Sequence, residues 1–242
     1  PEMFELCTPI VYGSPKVAAY HKKALNLDVN FNIIQDAADA KAERINLLAV
    51  TDEDVKIEFA TPSDATTLLS RKAIDRAIDD YKGGMVCAIV NAPINEKHFS
   101  NTLEKGNGLA QYIAKQLGNT GDVLEMVLNE CLLITSVSGD LALRDVESEV
   151  TKEKIEQTVK LLHQSLRRDF MISIPRIAVL ALNPALEDAS DKEEQQVISP
   201  AIKQLIDDGI AAFGLYQAEH FFEDRAFDTF DAVVAMNHEQ AM

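Results

Sequence analysis

Five short loops, each close behind an apolar run, hold the residue types that could do chemistry. They are Asn91-Ala92-Pro93-Ile94-Asn95 after Met85–Val90, Ser138-Gly139-Asp140 after Leu132–Val137, Asn183-Pro184-Ala185 after Ile177–Leu182, Ala218-Glu219-His220, and Asn237-His238-Glu239-Gln240 after Ala232–Met236. In an open parallel sheet such loops lie at the carboxyl ends of the strands, where ligands bind. Arg144-Asp145 reads either as a clamp on a substrate or, the commoner arrangement near strand ends, as an ion pair that orients its loop. Asn183 precedes a proline and is held extended. His21, His98, His163 and His220 read as surface or capping residues. No Ser/His/Asp or Cys/His constellation stands out, so the catalytic residues are unknown at this stage.

The elements that must position these loops alternate in type. Cys7–Tyr12 is a short extended run, and Ser14-Pro15 opens a helix to about Leu25, proline losing no hydrogen bond at the first helical position. Strands are predicted at Val29–Ile34 and Ile45–Val50, with Val55–Phe59 as a surface strand. A helix follows from about Ser63 to Tyr81, with Ile74, Ile78 and Tyr81 on one face and Gly83-Gly84 stopping it. Met85–Val90 is apolar throughout, as a strand covered on both faces would be. Further on come a helix at Leu109–Leu117, strands at Val123–Leu128 and Leu132–Ser136, and a helix capped by Thr151 with Ile155, Val159, Leu162 and Leu166 as its stripe. The last elements are a strand at Ile177–Leu182, a helix from about Glu194 to Asp208 and a strand at Ala232–Met236. The acidic run Glu187–Glu194 reads as a solvated loop. The alternation predicts an α/β fold of mostly parallel sheets with helices on both faces, in two lobes, residues 1–105 and 106–242, flanking a cleft.

Composition narrows the partners. The 242 residues carry 23 Lys+Arg against 39 Asp+Glu, a formal charge of −16, and 47% are hydrophobic. Such a chain can bury a core without staples, and its charge repels nucleic acid and anionic membranes. Cys7, Cys87 and Cys131 follow no metal or redox spacing and read as buried thiols of a reducing compartment, which with the lack of a leader or membrane-length apolar segment predicts a cytoplasmic protein. The chain opens at Pro1 and closes at Met242 just after an apolar run, so both ends read as cuts through a longer design.

The loops, in this order and spacing, also carry a likeness. Pro175–Pro184 (PRIAVLALNP), Leu141–Val146 (LALRDV), the NAPIN loop and the AMNHEQ ending together resemble the 4-hydroxythreonine-4-phosphate dehydrogenase family of pyridoxal phosphate biosynthesis, over essentially the whole chain. The resemblance implies two α/β lobes with a ligand cleft between them, a homodimer, NAD as oxidant, and a divalent metal (Zn, Mg or Mn) on three histidines, one from the partner chain. Carried over position by position, it leaves one such histidine, His238, with Asp140 as a remnant companion and Ala185 at the other ligand position. Arg144, Asn183 and Glu219 fall on substrate-side positions, Glu219 standing where the family has aspartate. The family's Gly-His-Thr-Glu motif is matched by Gly108-Leu109-Ala110-Gln111, and its Thr-Ala-Pro-Ile-Asn-Lys loop by Asn91-Ala92-Pro93-Ile94-Asn95-Glu96. Terminal segments bearing a glycine loop and phosphate- and NAD-binding residues have no counterpart between Pro1 and Met242, and no Gly-x-Gly-x-x-Gly run replaces them.

Three functional classes follow. One is a degenerate family member without the parent activity and with no tightly bound cofactor. The alternative is an active NAD- and divalent-metal-dependent dehydrogenase of a phosphorylated hydroxy amino acid, with Asp140, His238 and Glu219 holding a harder metal. The third is a scaffold whose retained property is dimerisation.

Overall fold

The computed structural model describes residues 2–51, 53, 55, 57–58, 61–95, 98–99, 109–118, 123–139, 141–184 and 193–241. The chain divides into two compact units, Pro1–Gly121 and Asp122–Met242. The division falls after Gly121 rather than after residue 105, because the helix at 109–116 packs with the first unit. Both units are α/β, built on parallel or mostly parallel sheets.

In the first unit a three-stranded parallel sheet is ordered β1 (Ile10–Gly13), β3 (Ile45–Ala49), β2 (Phe31–Ile34). Asn46 in the central strand is fully buried, and every polar atom of its side chain has a partner. Its Nδ2 donates to the carbonyls of Pro9, Lys41 and Arg44, and its Oδ1 accepts from Asn32 Nδ2 at 2.8 Å and from the Lys41 amide at 2.9 Å. A buried amide is stable in a sheet only when satisfied in this way. Helix α2 (Pro15–Ala24) follows the short α1 (Met3–Leu6); Ser14 sits extended at its N-cap, but its side chain makes no capping bond. Helix α3 (Asp64–Lys82) starts on a reciprocal cap between Ser63 and Thr66 and buries Thr67, Ile74, Ala77, Ile78 and Asp80. Tyr81, expected on that face, is exposed. The last turn turns a polar anchor inward instead, because Asp80 accepts from Tyr12 Oη at 2.9 Å and from Arg76 Nε at 3.2 Å and so ties α3 to β1. Burial first, and then the bond to Asp80, pushes the Tyr12 phenol well above its ordinary range. Helix α4 (Leu109–Gln116) sends Tyr112 against Ile74, Ile78 and Phe99, where its hydroxyl donates to Asp75.

One expected strand is not there, and a second is not seen at its described residues. Met85–Val90 forms no ladder, and Val90 is 93% exposed. Apolar sequence fixes what a run would bury, not whether a ladder partner lies within reach. Of the run at 55–59, residues 55, 57 and 58 are not in a strand, and 56 and 59 lie outside the described residues.

In the second unit the sheet order is β4-β5-β8-β6-β7, from Val127–Leu128, Leu133–Ser136, Ala232–Ala235, Arg176–Leu180 and Ala211–Tyr216. The last four are parallel and only the short edge strand β4 runs antiparallel. Alternate residues feed two cores. Leu133, Ile177, Val179 and Val234 face α6 (Lys152–Arg168) and α7 (Ser199–Asp207), while Ile134, Ala178, Leu180, Val233 and Ala235 face the segment 216–230 around α8 (Ala218–Glu223). The Thr151 cap holds, its Oγ1 accepting from the Lys154 amide, and Ile155, Val159, Leu162 and Leu166 are all fully buried. Strand β7 was not foreseen, because small residues and Gly214 hide its apolar pattern. That glycine is required: a Cβ there would lie 2.6 Å from the Val179 carbonyl oxygen of the neighbouring strand.

Cys7, Cys87 and Cys131 are exposed rather than buried. Each sits beside an apolar run but in a segment with no ladder: after α1, in the unpaired run, and in the turn where Asn129 Oδ1 accepts from the amides of Cys131 and Leu132. Among the described residues no helix is long and apolar enough to cross a membrane.

Candidate functional site

In the second unit the carboxyl ends of β5, β8 and β6 lie side by side, so the three loops singled out from the sequence converge by topology. The Ser138 amide donates to Met236 O at 3.1 Å, joining the first loop to the last. After β8 the chain turns into the short helix α9 (His238–Ala241), and Gln240 fixes that turn from both sides. Its Oε1 accepts from the Met236 amide at 2.9 Å, its Nε2 donates to Ala181 O at 2.7 Å, and its own amide donates to Asn237 Oδ1. One side chain thus laces the ends of β8 and β6 together. Gln240 was noticed in the sequence only as part of a motif; its structural role has no signal in spacing.

The predicted site residues are placed differently from one another. His238 is half-buried at the first position of α9. Asn183 is turned into the protein: its amide N donates to Glu194 Oε1 at 2.8 Å and its Nδ2 to Glu194 Oε2 at 3.0 Å. Glu194 is 3% exposed, at the start of a π-helical turn (Glu194–Ile198) that runs into α7. Its burial corrects the solvated reading of that end of the acidic run; residues 187–192 lie outside the described residues. Arg144, at the start of α5 (Leu143–Glu149), is 85% exposed at its side chain and lies 3.6 Å from Asp145 as a surface ion pair. Asp140 and Ala185 lie outside the described residues.

A cleft of about 420 Å³ opens beside α8 and α9, lined by Leu132, Ile134, Ala218, Glu219, Phe222, Glu239, Gln240 and Ala241. Two carboxylates, Glu219 and Glu239, share it with an apolar floor. His238, Arg144 and Asn183 are not among its described lining residues, so among the described residues the cleft joins Glu219 to Glu239, which the sequence reading named only as part of its loop. Glu239 carried a signal, as the neighbour of the one histidine retained from the resemblance.

A family model described as pyridoxal phosphate biosynthetic protein PdxA matches residues 5–242. The chain belongs to the PdxA family. It is 38% identical over 244 residues to a 4-hydroxythreonine-4-phosphate dehydrogenase of Bacteroides thetaiotaomicron, covering 100% of this chain and 67% of that protein. A protein of the same name from Sulfurihydrogenibium is 30% identical, over 96% of this chain and 71% of its own length. Among solved structures, a 4-hydroxythreonine-4-phosphate dehydrogenase from Klebsiella pneumoniae aligns with a TM-score of 0.80 at 24% identity, over 96% of this chain and 71% of that one. At that identity the likeness bears on fold alone, and it agrees with the parallel, helix-covered architecture described above.

The PdxA resemblance implies a metal on three imidazoles, and the donor set at those positions does not fit it. Of the three positions one is histidine; alanine at 185 supplies no donor, and an aspartate at 140 replaces a neutral nitrogen with an anionic oxygen. The asparagine two residues before Ala185 is bonded to a buried carboxylate, Glu194. Among the described residues no three His, Cys, Asp or Glu side chains come together as a metal site.

Proposed function

We propose that this PdxA-family chain keeps the fold and has left the metal-dependent dehydrogenase reaction, serving instead as a binding or interaction module with no tightly held NAD or metal. The observation that carries this reading is the closure of Asn183 on Glu194 at the strand end that would present a metal histidine. The changes at Leu109, Ala110, Glu96, Asp140 and Ala185 support it, since a phosphate needs charged or hydrogen-bonding donors that leucine and alanine cannot give. His238 and Asp140 are then remnants of a metal site, and Arg144, Asn183 and Glu219 remnants of a substrate site. The test is NAD reduction with 4-hydroxythreonine 4-phosphate and Mg, Mn or Zn, beside the Bacteroides relative as positive control. The reading expects no absorbance change above the blank; sustained turnover overturns it.

One observation favours the active alternative: Glu219 and Glu239 line a cleft at the helix that carries His238, and carboxylates with an imidazole suit Mn or Mg. The same assay decides, because that reading requires turnover with Mn or Mg.

We infer further that the chain forms a homodimer. Beyond the resemblance, support comes from apolar side chains left exposed on the second unit, among them Leu128, Leu143, Met171 and Ile174. Light scattering at micromolar concentration should give twice the 26.7 kDa of one chain, and the monomer mass would overturn it.

A further inference from the structure

Helix α2 begins on Gly13-Ser14-Pro15, directly behind β1, which lies at the edge of the first unit's sheet. Ser14 is 3% exposed, yet most of its polar groups are left open. Its carbonyl accepts from the Ala18 amide at 3.0 Å, and the Gly13 carbonyl accepts from the Val50 amide at 3.0 Å on the side of β3. Among the described residues the Ser14 amide, the Ser14 hydroxyl and the Val17 amide have no partner. Also among the described residues, no fully buried side-chain oxygen or nitrogen lacks a hydrogen bond, so the unpartnered Ser14 Oγ is not sealed in. It stands at the small opening this residue keeps.

Helix geometry puts these three donors in one place. In a reciprocal cap the N-cap side chain takes the amide of the third helical residue, and that residue's side chain reaches back to the N-cap amide. Helix α3 completes this exchange between Ser63 and Thr66. In α2 the third residue is Val17, whose side chain has no acceptor, and Ser14 does not take its amide. What the turn lacks is an acceptor with several oxygens, set at the positive end of the helix dipole. No acidic side chain stands in the first turn to fill that place. A Cβ at Gly13 would meet no atom within 4 Å, so the space beside the strand end is open. Asp36 and Asp80, at the same end of the sheet, are engaged by Arg76, and Asp80 also by Tyr12. Lys16 has an interaction of its own, and the site does not depend on it.

We propose that the start of α2 binds a phosphate group, as the free ion or as a monoester, on the Ser14 amide, the Ser14 hydroxyl and the Val17 amide. A tetrahedral oxyanion brings acceptor oxygens to all three donors, and backbone amides at a helix N-terminus favour it. Gly13–Val17 belongs to none of the five loops and to none of the positions carried over from the family, so this binding and the dehydrogenase reading stand or fall separately. The net charge of −16 opposes any anion, which keeps the affinity low and makes localisation part of the test.

Inorganic phosphate, glycerol phosphate and acetate, titrated into the full chain at matched ionic strength and followed by amide chemical shifts, decide it. Expected is a saturable shift of the Ser14 and Val17 amides with phosphate, at dissociation constants on the order of 1 to 10 mM. The Thr66 and Lys154 amides, already taken by their own caps, should stay in place. Tighter binding of glycerol phosphate assigns the site to a phosphorylated organic molecule, and equal or weaker binding assigns it to the free ion. Acetate, with fewer oxygens and less charge, should bind about tenfold more weakly. Ser14→Ala, which removes no side-chain bond within the chain, should weaken phosphate by about tenfold. Val17→Glu supplies the missing carboxylate from the chain itself and should abolish phosphate binding. Acetate binding as tightly as phosphate, equal shifts at the starts of α3 and α6, full affinity in either variant, or no saturable shift at Ser14 and Val17 would each overturn the proposal.

Discussion

The two units are held together by different means. In the second, four parallel strands send alternate residues into two apolar cores, and the stripe of α6 is buried completely against one of them. In the first, the apolar clusters are small, and polar ties do much of the joining: Asn46 satisfies the loops around β3, and Tyr12, Asp80 and Arg76 fasten β1 to α3. A large apolar core tolerates polar change at its rim but not the loss of packed volume. A unit tied by buried polar groups fails when one partner is removed, because the others are left unsatisfied.

The largest expected effect breaks the comparison at its apolar end. Leu162→Ala removes a fully buried side chain from α6 and should cost about 3 to 4 kcal/mol, within the range for buried leucines. Hydrogen exchange should show β6 and β8 losing protection while β3 of the first unit keeps its own. Next is Gln240→Leu, which leaves the Met236 amide and the Ala181 carbonyl without their partner and should cost about 2 kcal/mol. Chemical denaturation followed by a probe in the second unit reads this cost, and an unchanged midpoint would show that the turn after β8 does not need its lace.

The polar unit gives a comparable test. Asp80→Ala strands the Tyr12 hydroxyl and should cost about 1 to 2 kcal/mol, felt in β1 and β3 and not in β6. Loss of protection in both units alike would contradict their separate construction. Smaller again is Met171→Gly. This exposed residue has φ 59°, a left-handed conformation that glycine adopts freely, so the change should stabilise by about 0.5 to 1 kcal/mol.

The smallest effect is electrostatic. Bonds from Arg168 first and then Ser165 hold the exposed Asp169 carboxyl down at about 2, below its ordinary 3.8. A carboxyl depressed in the folded state contributes fully above its unfolded value. Its contribution is lost as pH falls through about 2. Asp169→Asn should flatten stability only in that acid window, and a carbon-detected titration of Asp169 should find the low midpoint.

The sequence revealed the second unit better than the first for the same reason that the units differ. Ile155, Val159, Leu162 and Leu166 announce a helix face because apolar burial has a period, and the runs at 132–136 and 232–236 become strands because neighbours accept their ladders. Met85–Val90 has the same apolar signature and becomes nothing of the kind, since periodicity does not report pairing. Strand β7 was hidden by Ala211, Ala212 and Gly214, where close backbone approach and not side-chain bulk is what the fold demands. At the site, the loops after β5, β6 and β8 were legible by their places behind apolar runs. Glu194 was not, because a buried carboxylate closing on Asn183 across eleven positions looks in sequence like any acidic residue of a charged run.

The claim that the metal chemistry has gone while the strand ends persist is tested most directly by zinc calorimetry on two proteins, the native chain and Asp140→His with Ala185→His. The account predicts no saturable site tighter than about 10⁻⁵ M in the native chain and measurable affinity in the double variant, where three imidazoles are restored. Activity should remain absent from both, since catalytic groups that act as a unit are not recovered one at a time. A stoichiometric nanomolar zinc site in the native chain, lost on His238→Ala, would contradict it.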